Sequence, residues 1–138
     1  MRELSKLVFR IGGETCTSVS GSTTVGVDHT WVGDLVFWLT SPQGTTVMLI
    51  DQAGGPGNDG NNFCQTALDD GAATSIQDVL FSQAPFTGTF RPATPESAFA
   101  GENGDGTWIL NVSDVAGFDT GSVRAFSLDV SGFDCTAN

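Results

Sequence analysis

The sequence predicts an all-β fold, a jelly-roll sandwich of two antiparallel sheets. Its 138 residues include 18 glycines, and Thr, Ser and Val are abundant. Short apolar stretches are interrupted by turn residues, and no segment shows the period of an amphipathic helix. Six to eight short strands joined by long crossovers pack most economically as two facing sheets, and a chain of this length forms one domain.

Seven segments have the pattern of strands, with turn residues between them. Residues 35–39 are apolar at every position, which predicts a central strand covered on both faces. Residues 41–44 carry Pro and Gly between two strands and predict a hairpin. In the last segment Phe126, Leu128 and Val130 alternate with polar residues, as in a strand with one wet face. The predicted strands are 7–11, 23–28, 34–40, 45–50, 76–81, 107–113 and 122–130. Two tracts, 52–62 and 85–106, are too rich in Gly and Pro for regular structure.

The chain is strongly acidic, with 16 Asp and Glu against five Lys and Arg and a net charge of −11. No Lys or Arg occurs between Ile11 and Phe90. Nucleic acid and anionic lipid are therefore poor partners, because both need a basic surface. The longest apolar run, five residues, is too short to insert into a membrane. Divalent cations are favoured partners, and the alternative is a solvated acidic surface.

The residue inventory argues against catalysis. His29 is the only histidine, and no Gly-x-Ser-x-Gly motif presents a nucleophile, so a Ser-His-Asp triad is not expected. We predict instead that His29 makes a structural hydrogen bond that fixes the turn near Trp31 and Asp34. No acidic residue is marked as a general acid with a raised pKa.

Calcium is the metal that the sequence favours, because oxygen ligands are plentiful while zinc ligands lack the usual spacing. The third predicted strand runs away from Asp34 and the fourth runs back, so Asp34 and the loop from Asp51 should share one end of the sandwich. Carboxylates that converge there repel one another unless a cation binds. The alternative for Asp34 is a turn cap that binds backbone N–H groups. The predicted calcium ligands are Asp34, Asn62, Asp69, Asp70 and, as an additional ligand or a structural partner of an arginine, Glu102.

Two weaker candidates complete the set of predicted sites. Asp114 and Asp119 flank a loop and form a possible second metal site. Trp31 is the tryptophan with the best prospect of exposure, and it is a possible contact for a glycan ligand.

Three cysteines, Cys16, Cys64 and Cys135, allow one disulfide in an exported protein. All three pairings stay open. We favour Cys16–Cys135, because the ends of a chain often meet in a sandwich.

A series of motifs in residues 21–131 resembles the P domain, or Homo B domain, of proprotein convertases and kexin-like subtilases. The first runs from His29 through Gly33-Asp34-Leu35, and the second is Leu39-Thr40-Ser41-Pro42-Gln43-Gly44-Thr45. Further matches follow in order, and among them the Asp69-Asp70 pair is typical of the bacterial branch. The others are Asn62-Phe63, Pro85-Phe86-Thr87-Gly88, Arg91-Pro92, Gly101-Glu102-Asn103, Gly106-Thr107-Trp108, Asp114 and Asp119-Thr120-Gly121.

The resemblance implies a jelly-roll sandwich similar to galactose-binding domains, with no hydrolytic activity of its own. It implies a covalently linked subtilisin-like catalytic domain in a secreted bacterial serine protease, which the P domain stabilises or regulates, and calcium as the bound ion. The alternative is a recognition or adhesion module that binds a glycan or protein at the cell surface.

We therefore expect residues 1–20 to be an N-terminal extension or first strand, residues 21–131 the P domain and residues 132–138 a tail. The expected location is secreted or at the cell surface, with any export signal outside residues 1–138.

Overall fold

The computed structural model describes residues 2–134 and confirms the all-β prediction. No α-helix occurs in this range, and the short 3₁₀ turns are Val32–Asp34, Ile76–Asp78, Phe81–Gln83 and Glu96–Phe99. The strands are β1 (Arg2–Ile11), β2 (Val27–His29), β3 (Leu35–Thr40), β4 (Thr46–Asp51), β5 (Phe63–Leu68), β6 (Phe86–Phe90), β7 (Ile109–Asp114), β8 (Gly121–Val123) and β9 (Phe126–Asp134).

The strands form two sheets. In the larger sheet β1 and β2 lie end to end beside β5, and β9 and β8 lie end to end on their other side. β6 pairs with β5 in parallel, and every other strand pair is antiparallel. The smaller sheet has the order β4-β3-β7, so β3 is central, as the apolar run predicts. β8 and β9 therefore form one edge of the larger sheet and β6 the other, while β4 and β7 are the edges of the smaller sheet.

Aromatic side chains fill the space between the sheets. Phe37 of β3 and Phe63 of β5 are both fully buried, and their rings meet edge to face with centroids 5.7 Å apart. Phe63 also contacts Phe86, whose ring lies at the same distance. Because β3 and β5 belong to different sheets, these contacts join the two layers of the sandwich.

Most predicted strands are confirmed with shifted ends. The predicted strand 122–130 is divided into β8 and β9, and three other segments also differ from the prediction. Residues 76–81 were predicted as a strand, but residues 76–78 form a 3₁₀ turn and residue 81 begins another. The backbone N–H of Asp78 donates a hydrogen bond to the carbonyl of Ser75. β5 was missed, although its residues pair with three neighbouring strands. β6 was also missed, because it lies inside the Gly- and Pro-rich tract from residue 85.

The favoured disulfide is wrong. Cys16 is bonded to Cys64, and Cys135 lies outside the described residues. Cys16 belongs to an excursion of the chain between β1 and β2, and the bond ties this excursion to β5. The hairpin predicted at residues 41–44 is confirmed by hydrogen bonds between Ser41 and both Gly44 and Thr45. Among the described residues, no helix has the length and apolar character to cross a bilayer.

Candidate functional site

The structure does not bring the five predicted calcium ligands together. Asn62 directly precedes β5, and Asp69 directly follows it. A six-residue strand rises about 3.3 Å per residue, so the two ends lie roughly 20 Å apart. Asn62 lies at the end of the sandwich that holds Asp34, because its amide donates to the carbonyl of His29. The prediction of a single site is therefore wrong, because Asp69 and Asp70 lie at the end of the sandwich opposite Asp34 and Asn62.

Asp69 and Asp70 have structural partners where they lie. Asp69 accepts a hydrogen bond from the amide of Gly71 at 2.9 Å and pairs with Lys6 at 3.2 Å. The hydrogen bond from Gly71 and the Lys6 ammonium hold the pKa of Asp69 below its usual value. Both carboxylate oxygens of Asp70 accept amides of the 3₁₀ turn, from Glu96 at 2.8 Å and from Ser97 at 2.9 Å. These contacts give both residues roles in loop structure.

Glu102 and Asn62 are also engaged within the protein. The carboxylate of Glu102 accepts hydrogen bonds from the hydroxyls of Ser41 at 2.7 Å and Thr45 at 2.5 Å, so it fixes the β3–β4 hairpin. The fully buried Asn62 accepts the amide of His29 at 3.1 Å. Its side-chain amide donates to the carbonyls of Thr17 and Val19. Asn62 therefore anchors the excursion that carries Cys16.

A compact group of side chains of the types that can bind a metal does form around Asp34. One donor atom from each of His29, Asp34 and Asp114 lies within 4.8 Å of the other two. Asp114 lies near Asp34 because it pairs with the next residue, Leu35, between strands β3 and β7. Asp119 is close enough to act on the Asp34 carboxylate, and it accepts a 2.7 Å hydrogen bond from Thr30. We call Asp34, Asp114 and Asp119 the acidic cluster. It unites one predicted calcium ligand with both members of the predicted second metal site.

His29 has a defined protonation pattern in this group. Its Nδ1 accepts the backbone N–H of Trp31 at 3.0 Å, so the ring proton of the neutral form is on Nε2. Nε2 lies 2.9 Å from Asp114 Oδ2 and donates to it. The prediction that His29 fixes this turn by a hydrogen bond is confirmed. Since both ring nitrogens are engaged, His29 provides neither a free lone pair for a metal nor a catalytic base.

The buried charge of Asp34 lacks full compensation. It is buried, and its Oδ2 atom has no hydrogen-bond partner within the described chain. Burial raises its pKa, and the carboxylates of Asp114 and Asp119 raise the pKa further, while His29 lowers it. A buried carboxylate that has an oxygen without a partner and is repelled by two other carboxylates is costly unless it binds a proton or a cation. The acidic cluster can therefore take up one or the other.

Gly33 allows Asp34 to reach this position. A β-carbon on Gly33 would lie 2.4 Å from the carbonyl oxygen of Gly55 and 2.9 Å from that of Asn58. The Gly33 amide donates to the same Asn58 carbonyl at 3.0 Å. The loop from residue 52 thus packs directly on the backbone beside Asp34, and only glycine leaves room for it.

Replacing Gly33 with alanine should destabilise the protein by about 2 kcal/mol or more, because the contact is with backbone that cannot move aside. Gly57→Ala is the matched control, since a β-carbon there meets no atom within 4 Å. Urea unfolding monitored by tryptophan fluorescence measures both changes. Equal midpoints for the two variants would contradict the packing role of Gly33.

Trp31 is half-buried, and its indole N–H donates to the carbonyl of Pro56 at 2.8 Å. This bond fixes the ring against the loop that also packs on Gly33. Its polar group is thus used within the fold, and the glycan contact predicted for Trp31 gains no support from this geometry.

Glu96 was missed by the sequence analysis. Its side chain is 2% exposed, Oε1 accepts the amide of Phe9 at 3.3 Å, and Oε2 has no partner. Burial raises its pKa to about 8, and the nearby Asp70 carboxylate contributes to the increase. In the sequence, the burial of Glu96 is indicated only by the apolar Phe99 three residues later. This indication is weak, because the surrounding tract has the composition of a loop.

Comparison with protein families gives the identity of the domain. The family model described as the proprotein convertase P-domain matches residues 20–130, which include the whole acidic cluster. The chain belongs to this family. No curated protein and no solved structure gives a significant match.

The P domain is a non-catalytic accessory domain, and its family is linked to the subtilisin-like catalytic domains of proprotein convertases and related proteases. The family match confirms the resemblance that the motifs indicated. It begins after β1, yet β1 lies between β5 and β9 in the larger sheet. In this P domain the first strand is therefore an interior part of the sandwich.

Proposed function

We propose that this P domain is a calcium-binding accessory domain of a secreted bacterial subtilisin-like serine protease, and that it stabilises or regulates the catalytic domain. The observation that carries the calcium proposal is the buried Oδ2 of Asp34, which has no partner within the described chain. A carboxylate oxygen of Asp34 lies within 4.8 Å of one of Asp114, and the charge of Asp119 acts on it as well. The net charge of the chain, −11, also attracts cations to the protein.

The donor set fits calcium better than zinc. Asp34, Asp114 and Asp119 would hold the ion through oxygen atoms, which calcium prefers, while the nitrogen atoms of His29 are engaged in hydrogen bonds. When bound, calcium would neutralise carboxylates that otherwise repel one another. Because Asp34 precedes β3, Asp114 ends β7 and Asp119 precedes β8, the ion would join both sheets.

Calcium should raise the melting temperature of the protein after treatment with EDTA. At a hundredfold excess over Kd a ligand specific to the native state contributes about 2.7 kcal/mol, or roughly 10 °C for a domain of this size. Asp34→Asn should abolish this increase. In EDTA the same variant should melt at or above the wild-type temperature, since it removes a buried charge. Asp69→Asn, at the other end of β5, is the control and should keep the full response.

Two results would contradict the calcium proposal: a wild-type melting temperature that ignores calcium, or a response that Asp69→Asn removes and Asp34→Asn does not. The protease context has its own test. The coding sequence that precedes residue 1 should specify a subtilisin-like catalytic domain, whereas a cell-surface protein with no protease domain would favour a recognition or adhesion module.

A further inference from the structure

The smaller sheet has one face that is turned away from the core. Phe37 and Leu39 of β3 are fully buried between the sheets, so Val36, Trp38 and Thr40 point to the opposite side. The apolar run of this strand predicts cover on both faces, and Val36, which is 8% exposed, fits that prediction. The prediction is wrong for Trp38, which is only partly buried and does not belong to the core.

Strands β4 and β7 extend this surface on both sides of β3. In an antiparallel pair, residues directly opposite one another point to the same face of the sheet. Trp38 lies between Met48 and Asn111, and Thr40 is paired in the same way with one residue of each neighbouring strand. We call the surface made by these six residues the outer face. Its members are Trp38, Thr40, Thr46, Met48, Ile109 and Asn111.

The outer face has hydrogen-bond donors that the protein does not use. Within residues 2–134 the indole N–H of Trp38 has no hydrogen-bond partner, whereas those of the other two tryptophans donate to backbone carbonyls. Asn111 accepts a hydrogen bond from Ser113 through Oδ1, and its side-chain N–H groups have no partner in the same range. An aromatic ring and free donors therefore lie side by side on an open sheet surface.

The outer face is also uncharged, although the protein carries a net charge of −11. The nearest acidic residue along β4 is Asp51, which pairs with Val36 rather than with Trp38 or Thr40. An anionic ligand would be repelled by the protein as a whole, and a cation gains no partner among these six side chains. The surface therefore complements a neutral ligand whose oxygen atoms accept hydrogen bonds.

The size of the outer face favours a small ligand over a protein. Three strands about 4.8 Å apart and one two-residue step along them give a grid of Cα atoms of roughly 10 by 7 Å. Each partner in a stable protein interface contributes about 800 Å², which is far larger. A sugar ring matches the dimensions and the chemistry, because its C–H face packs on an aromatic ring while its hydroxyl oxygens lie at the edge.

We propose that the outer face binds a neutral, extended saccharide chain, with one sugar ring stacked on Trp38 and its hydroxyl groups bonded to Asn111. The flat sheet suits a β-1,4-linked chain, whose rings are themselves flat. This assignment places the saccharide contact at Trp38 instead of Trp31, whose indole N–H is already bonded to Pro56. It depends neither on calcium nor on a linked protease, since all six residues lie outside the acidic cluster.

Isothermal titration calorimetry in EDTA, with cellohexaose and chitohexaose as probes, tests the proposal on the whole chain. At least one of the two should bind with a Kd of about 1 mM or lower. Trp38→Ala should weaken binding about tenfold or more, because it removes the stacking ring. Phe118→Ala is the control, because it removes a fully exposed aromatic side chain in the loop after β7, and it should change affinity less than about twofold.

Asn111→Ala keeps the test decisive if Trp38→Ala does not fold. Asn111 is exposed, and its loss should weaken binding about threefold to tenfold. Oligomers of β-1,4-linked glucuronic acid are the charge control, since they have the same linkage with a carboxylate on every ring, and they should bind more weakly.

Four outcomes would overturn the proposal. The first is that neither neutral hexasaccharide binds, and the second is that Trp38→Ala and Phe118→Ala weaken binding equally. The third is equal affinity for the glucuronic acid oligomers, which would contradict the role assigned to charge. The fourth is a wild-type dimer that Trp38→Ala dissociates, because a second copy of the chain would then occupy the outer face.

Discussion

Glutamine in place of Glu96 should stabilise the protein by about 3 kcal/mol or more at pH 8.5, and by far less at pH 5. The pKa of Glu96 is raised from 4.5 to about 8, mainly by burial. An acid with a raised pKa contributes most to stability below its unfolded pKa, and this contribution is lost as the pH rises through the folded value. Wild-type stability should therefore fall between about pH 4.5 and 8.

Glutamine resembles the protonated glutamate, so it can keep the hydrogen bond from the Phe9 amide without acquiring a charge. Urea unfolding at half-unit pH steps measures the effect. The exposed Glu14→Gln is the control and should retain the wild-type slope. A wild-type profile that is flat between pH 5 and 8, or a slope that Glu96→Gln leaves in place, would contradict the assignment of Glu96 as a buried acid.

Loss of the disulfide between Cys16 and Cys64 should cost about 4 kcal/mol. The bond closes a loop with a sequence separation of 48, and such a crosslink limits the conformations of the unfolded chain. The double variant Cys16→Ala, Cys64→Ala should melt at a lower temperature than the oxidised wild type. Reduction of the wild type should produce a similar decrease.

Peptide mapping without reduction provides the direct check on this pairing. The account predicts one crosslinked pair that contains Cys16 and Cys64. A peptide that links Cys16 to Cys135, as the sequence analysis favoured, would contradict the structure.

The fold class followed from local patterns, because glycine-bounded apolar stretches report directly on strands and turns. β3 illustrates this: its unbroken apolar run identified the central strand of the smaller sheet. β5 illustrates the limit. Its sequence, FCQTAL, follows a Gly-rich tract and does not alternate strictly, so the pattern does not predict a strand there. Only its pairing with β1, β2 and β6, which are distant in sequence, makes it a strand.

The missed strand explains the error in the candidate site. Without β5, Asn62, Asp69 and Asp70 appeared to share one loop near Asp34, whereas the strand carries the two aspartates to the opposite end. The partners of Asp34 come instead from the far end of the chain. Asp114 meets it through the β3–β7 register, a tertiary pairing that local sequence does not encode. Glu96 was missed for a similar reason, because its burial depends on packing against β1.

The location of the cation is the most direct test of the central claim. Crystals of the protein grown with calcium should be examined by X-ray diffraction. The account predicts an ion about 2.3–2.6 Å from carboxylate oxygens of Asp34, Asp114 and Asp119. An acidic cluster that holds only water and protein contacts at saturating calcium, or an ion bound instead at Asp69 and Asp70, would contradict the account.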